Sequence, residues 1–241
     1  MNITQFKSKE KASPFAPEWD YYIGEGNVND SIHQNPNLKV VANYLLEKEQ
    51  EVLNLPKTYR DISDGYTGLG DDSVTSRHGR FNLFDSSRFK NAELDKLKDA
   101  ILDRYIKFLN ELNMKIPESI YVQCWYNVMR KGQKIEKHIH GADENSYLGC
   151  HVCVQSNDTS TYYINSIDQI NDPLTHRSKN EEGKITFFSG CLPHYTDTHM
   201  ADEERITIAM DLLLIPNDNF IKIILENINE KNKRNVGEVI W

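Results

Sequence analysis

The sequence predicts a mainly β protein, an antiparallel sandwich, barrel or jelly roll, with helices at its N-terminal end. Three observations lead there. After Pro117, five short segments (SIYVQCWYNVM, SYLGCHVCVQ, STYYINS, GKITFFSG and RITIAMDLLLI) are rich in β-branched and aromatic residues and are separated by turn residues. No helical period interrupts them, so the strands lack the crossover helices that a parallel sheet needs. Before Pro117 the apolar residues recur instead at helical spacing.

The elements follow in order. Over residues 37–53, Val40, Val41, Tyr44, Leu45 and Leu46 fit one helical face, with Glu and Lys on the other. Residues 64–84, DGYTGLGDDSVTSRHGRFNLF from Asp64 to Phe84, hold four glycines and many small polar residues, which makes a loop and then a short extended piece. Such a loop is a surface connection or a substrate-facing element, and it lacks the Gly-Lys-Ser/Thr ending of a phosphate loop. Asn91 then offers an N-cap, and Leu94, Leu97, Ile101, Tyr105, Phe108 and Leu112 form a second helical stripe. The five strands follow, and a terminal helix is expected over residues 217–233. The chain therefore reads as one domain over 1–241: a helical and loop part over 1–116, a β core over 117–216 and a tail over 217–241.

With 39% hydrophobic and 27% charged residues, a packed core is available. A formal charge of −8 disfavours nucleic acid as the main partner, because phosphate binding needs a basic surface. The first residues lack a secretory apolar core and no later run reaches membrane-spanning length, so a cytoplasmic protein without a membrane partner is expected. A symmetric homodimer is the default expectation for assembly. Cys124, Cys150, Cys153 and Cys191 sit in or beside apolar strands, so the Cys150-x-x-Cys153 pair reads as packing rather than as a zinc or redox site.

Six of the eight histidines fall between positions 138 and 199. In KIEKHIHG, His138 and His140 are two apart, so on an extended chain both rings leave the same face. In CLPHYTDTH, Pro193 fixes the backbone before His194, and Arg205 follows eleven positions later at the start of an alternating strand. An Fe(II) centre that activates dioxygen needs a few neutral nitrogen or carboxylate ligands on one side and open positions on the other. His138 and His140 with the distant His194 supply such a facial set. A keto diacid such as 2-oxoglutarate, chelating the metal at one end, needs a cation for its far carboxylate. Arg205 is a two-pronged, permanently charged partner, and Thr207 points the same way with a hydroxyl.

In these motifs the chain resembles the 2-oxoglutarate/Fe(II)-dependent oxygenases related to prolyl hydroxylases. The matching residues are Trp125, Asn127, Gly132, His138, His140, Gly149, Gly183, Phe187, Leu192, Pro193, His194, Glu204, Arg205, Ile206 and Thr207, over residues 119–215. The resemblance implies a double-stranded β-helix, the cupin-like jelly roll. It implies His138 and His194 as iron ligands, Arg205 on the C5 carboxylate of 2-oxoglutarate, and Asn127, Trp125 or both in the cosubstrate pocket. The implied reaction uses dioxygen to hydroxylate an unactivated C–H bond while 2-oxoglutarate becomes succinate. The first guess for its substrate is a peptidyl prolyl or other amino-acid side chain, or a small molecule.

Two features depart from the commoner pattern. His140 stands where this superfamily usually has a carboxylate, and Asp143 in the following loop is the competing third ligand; strand alternation favours His140. His199, flanked by an apparent exposed turn, competes with His194, and the Leu-Pro-His context favours His194. His151, mid-strand, reads as a core histidine, while His33, His78 and His176 show no clear role and fit solvated surface positions equally well. Two other classes fit three histidines: a cupin-like metal-binding module without turnover, and a zinc hydrolase with Glu136, which shares the parity of His138 and His140, as general base.

Overall fold

The computed structural model describes residues 1–58, 63–142, 146–165 and 175–214. Its strands are β1 (Asn2–Lys7), β2 (Asp20–Asn27), β3 (Ile120–Met129), β4 (Leu148–Gln155), β5 (Ser160–Ile164), β6 (Thr175–Lys179), β7 (Lys184–Ser189), β8 (His194–Thr196) and β9 (Arg205–Leu214). Six of them form one sheet in the order β1-β2-β7-β4-β9-β3, and three form a second in the order β6-β5-β8. All described pairings are antiparallel. Helix α1 (Leu38–Leu53) is capped by Asn37 and α2 (Ala92–Glu111) by Asn91, whose side-chain oxygens accept from the first-turn amides. The expected terminal helix over 217–233 lies outside the described residues.

The first part of the chain is not only helix and loop. β1 and β2 join the large sheet through β7, so that sheet crosses the expected division at residue 116. Their sequences, NITQFK and DYYIGEGN, mix polar residues into both faces, which hid the strand period. β6 (THRSK) has no apolar residue to alternate, and β8 is three residues long, so neither shows a period. Gly24 of β2 is there for packing: a Cβ at that position would lie 2.3 Å from the Phe108 ring of α2. With hydrogen in its place, Phe108 settles against Phe187 with centroids 5.5 Å apart and rings nearly parallel.

Strand alternation decides what faces what. Cys124, Tyr126 and Val128 of β3, Cys150, Val152 and Val154 of β4, Ile185 and Phe187 of β7, and Ile206, Ile208, Met210 and Leu212 of β9 are buried in one cluster with α1 and α2. Each such aliphatic or aromatic side chain contributes about 1.5–3 kcal/mol on leaving water. The alternate residues must then face the smaller sheet. There, Phe6, Ile23, Tyr163, Phe188 and Leu192 form a second apolar cluster. Beside it the inter-sheet space is polar, and this polar half holds the candidate site.

Glu25 ties the two sheets together. It accepts from His176 of β6 at 3.0 Å and forms an ion pair with Lys184 of β7 at 2.7 Å, so His176 is paired rather than solvated. Burial alone would raise the Glu25 pKa, but His176 and Lys184 beside the carboxylate bring it down to about 2. A carboxyl whose folded pKa lies below its unfolded value stabilises the fold above the unfolded pKa, and that contribution is lost as pH falls through the folded one. Glu25→Gln is therefore expected to cost about 2 kcal/mol at neutral pH. It should also flatten the acid limb of the stability curve between the ordinary value of 4.5 and about 2, read by urea unfolding at each pH.

Candidate metal and anion site

His138 and His140 lie in the connection from β3 to β4, which is not a regular strand. His138 makes a single bridge to His194, with N–H to O distances of 3.1 and 3.0 Å in the two directions. His140 N–H donates to Gly190 O at 3.0 Å. Thr196 and Ile135 add two further bonds between the segment and β8. The segment is thus extended by docking on the small sheet, and the two-residue spacing still sets both rings on one side. Their centroids are 5.7 Å apart, and those of His194 lie 4.3 Å from His138 and 5.1 Å from His140.

One potential donor atom from each of these three histidines lies within 4.8 Å of the others. Nitrogens sharing one ion at about 2.1 Å each can be at most roughly 4.2 Å apart, so slight ring rotation brings this set onto a metal. The ring orientations suit that purpose. The Nδ1 of His138 faces Glu136 O at 2.8 Å and that of His194 faces Leu192 O at 3.0 Å. A carbonyl only accepts, so each Nδ1 carries the proton and each Nε2 keeps its lone pair. The Nδ1 of His140 faces the Asp211 carboxylate of β9, the arrangement in which an outer carboxylate orients a ligating imidazole. Burial, reinforced by the neighbouring rings, pushes His138 down to about 4 and His194 well below its ordinary range, so both are neutral at pH 7. Gly149 of β4 admits the third ring: a Cβ there would stand 2.5 Å from Phe188 and 3.2 Å from His140 Nδ1.

On β9 the same face carries Arg205, Thr207, Ala209 and Asp211. Arg205 is 1% exposed, and among the described residues its Nε–H has no hydrogen-bond partner. Its Nη1 reaches the Met129 sulfur, at 3.8 Å. Among the described residues no carboxylate lies within 4 Å of it, and burial lowers its pKa, countered by Cys153 and, from further off, Asp197. Asn127 pairs across from Thr207 in the β3–β9 register, donates to its Oγ1 at 3.4 Å and accepts from Thr75 Oγ1 at 2.6 Å. Trp125, Asn127, Arg205, Thr207 and the three histidines all line one cavity between the sheets.

A second, more open cavity shares Trp125, His138 and His140 with the first and adds Asp64, Gly65, Thr75, His78 and Asp211. The loop after Asp64 therefore forms a wall of the site's outer side. Sequence reasoning had no local signal for Thr75 or His78. Asp211 did leave one, as the sole acid in β9 and on the parity of Arg205. His199 is fully buried rather than in an exposed turn: its Nε2 faces Glu203 O at 2.6 Å and its backbone pairs with Gly132 and Gln133, apart from the three clustered histidines. Glu136 is exposed and paired with Lys134 at 3.0 Å, and it is not among the residues lining either cavity. The four cysteines are free and three are buried, with burial raising their thiol pKa values. Asp143 lies outside the described residues. Among the described residues no helix is long and apolar enough to cross a membrane.

No family model and no curated protein matches the sequence. Similar solved structures include a prolyl hydroxylase from Trichoplax adhaerens in complex with a hypoxia-inducible-factor peptide fragment. It is 13% identical, with TM-score 0.49, over 79% of this chain and 83% of that one. The viral collagen prolyl hydroxylase of Paramecium bursaria Chlorella virus-1, in its 2-oxoglutarate complex, is 13% identical with TM-score 0.46, over 80% and 96%. An oxidoreductase of the 2-oxoglutarate–Fe(II) oxygenase family from Burkholderia pseudomallei is 13% identical with TM-score 0.42, over 73% and 77%.

Proposed function

We propose that this protein is a non-haem Fe(II)- and 2-oxoglutarate-dependent dioxygenase on a jelly-roll core, hydroxylating an unactivated C–H bond of an amino-acid side chain or small molecule. His138, His140 and His194 hold the metal, and Arg205, Thr207 and Asn127 take the 2-oxoglutarate. The observation that carries the reading is Arg205: a buried cation without a counter-ion among the described residues, in the same cavity as three pre-oriented histidines. Isolating a charge this way costs several kcal/mol, and an incoming carboxylate offsets it.

Bound Fe(II), with 2-oxoglutarate and dioxygen, supplies oxidation of the C–H bond, one oxygen atom going to the product and one to succinate as carbon dioxide leaves. The chain's own residues bind and orient. Asp211 and the two backbone carbonyls fix the imidazoles, Arg205 fixes the far end of the cosubstrate, and the loop around Thr75 and His78 offers the wall against which a substrate lies. A metal-binding module without turnover uses the histidines but gives Arg205 no task. A zinc hydrolase needs a general base, and Glu136 faces Lys134 instead. Succinate formation requiring Fe(II), dioxygen and 2-oxoglutarate together is the expected result with candidate peptides present. Turnover that persists after iron is removed would contradict the assignment.

A further inference from the structure

Residue His151 was expected to be a satisfied core histidine, and it is not satisfied. It is 9% exposed on β4, and among the described residues its Nε2 has no hydrogen-bond partner. Its Nδ1 lies 3.3 Å from the Tyr163 hydroxyl across the inter-sheet space, with the two rings stacked at 9°. In the β4–β9 register His151 pairs with Ala209, between Gly149 opposite Asp211 and Cys153 opposite Thr207. It therefore stands between the histidine cluster and the Arg205 end, and it lines the same cavity. Three orphaned polar groups, His151 Nε2, Arg205 Nε and Trp125 Nε1, thus belong to side chains lining one cavity.

We infer that His151 is a positioning residue for the distal carboxylate of the keto diacid, donating from Nε2–H beside the Arg205 guanidinium. This rests on the proposed oxygenase reading. Tyr163 sets the tautomer: its O–H donates to Nδ1, which leaves the imidazole proton on Nε2. The neutral ring adds a directional donor without a second buried positive charge, which would repel Arg205. Burial drives His151 to about 3, and Arg205 and His140 act in the same direction, so the donor is uncharged at working pH.

The test compares 2-oxoglutarate with 2-oxopentanoate, which keeps the keto acid and lacks the distal carboxylate, by anaerobic titration of the Fe(II)-loaded protein. His151→Phe is expected to raise the dissociation constant for 2-oxoglutarate about tenfold and to leave that for 2-oxopentanoate unchanged. His151→Gln, whose amide restores a donor, should recover binding to within about threefold of wild type. If His151→Phe does not fold, Tyr163→Phe gives the same reading, with about a threefold loss confined to 2-oxoglutarate. Unchanged 2-oxoglutarate affinity, or equal losses for both ligands, would overturn the inference while leaving the oxygenase reading intact. A wild-type protein that binds Fe(II) but not 2-oxoglutarate would overturn the oxygenase reading itself.

Discussion

Arg205→Met is expected to abolish useful 2-oxoglutarate binding and, at the same time, to make the folded protein more stable. Both effects have one cause. The guanidinium is 1% exposed and, among the described residues, has an unpartnered Nε–H and the Met129 sulfur at Nη1. Removing one member of a buried, hydrogen-bonded charge pair costs a complex about 2–5 kcal/mol, so affinity should fall by at least about thirtyfold. Methionine fills similar space without charge. Replacing buried ionic groups by apolar ones is often stabilising by about 1–4 kcal/mol, worth a few degrees in Tm for a chain of this size. Calorimetry of wild type and variant, without and with 2-oxoglutarate, reads both effects. A purely structural arginine would instead lower Tm on substitution and leave ligand binding in proportion to the folded fraction.

His140→Ala is expected to abolish iron binding, whereas Asp143→Ala retains it. The reason is geometric: the His140 ring is already 5.1 Å from His194 and is oriented by Asp211. Asp211→Asn gives the graded version. Losing the carboxylate behind a ligating imidazole typically weakens metal affinity about 10- to 100-fold, so Asp211→Asn should fall between wild type and His140→Ala in an equilibrium dialysis against Fe(II). Full iron binding by His140→Ala together with loss in Asp143→Ala would reverse the ligand assignment.

How much of this was legible in the sequence depends on whether the cause was periodic. Arg205, Thr207, Trp125 and Asn127 share a cavity because β3 and β9 alternate, and a period of two can be read from a single strand. The spacing of His138 and His140 set their rings side by side even though the segment is held by β8 rather than by a strand of its own. Contacts made across the fold left weaker traces. Asp211 was visible only as an acid on the right parity, and nothing local marked Asp211 as the partner of His140. His151 reads as core from its neighbours, and only the missing partner at Nε2 separates it from one. Glu25 and His176, 151 positions apart, meet because β2 and β6 belong to facing sheets. β1 and β2 carry polar residues on both faces, which erases the alternation that marks the other strands.

In the proposed site one cavity holds Fe(II) on three histidines and a keto diacid on Arg205. Anaerobic addition of 2-oxoglutarate to the Fe(II)-loaded protein, with the visible spectrum recorded, tests both halves at once. The expected result is a metal-to-ligand charge-transfer band that saturates with 2-oxoglutarate, is lost in His194→Ala and needs far more ligand in Arg205→Met. Folded, iron-loaded wild-type protein that shows no such band at saturating 2-oxoglutarate would contradict it.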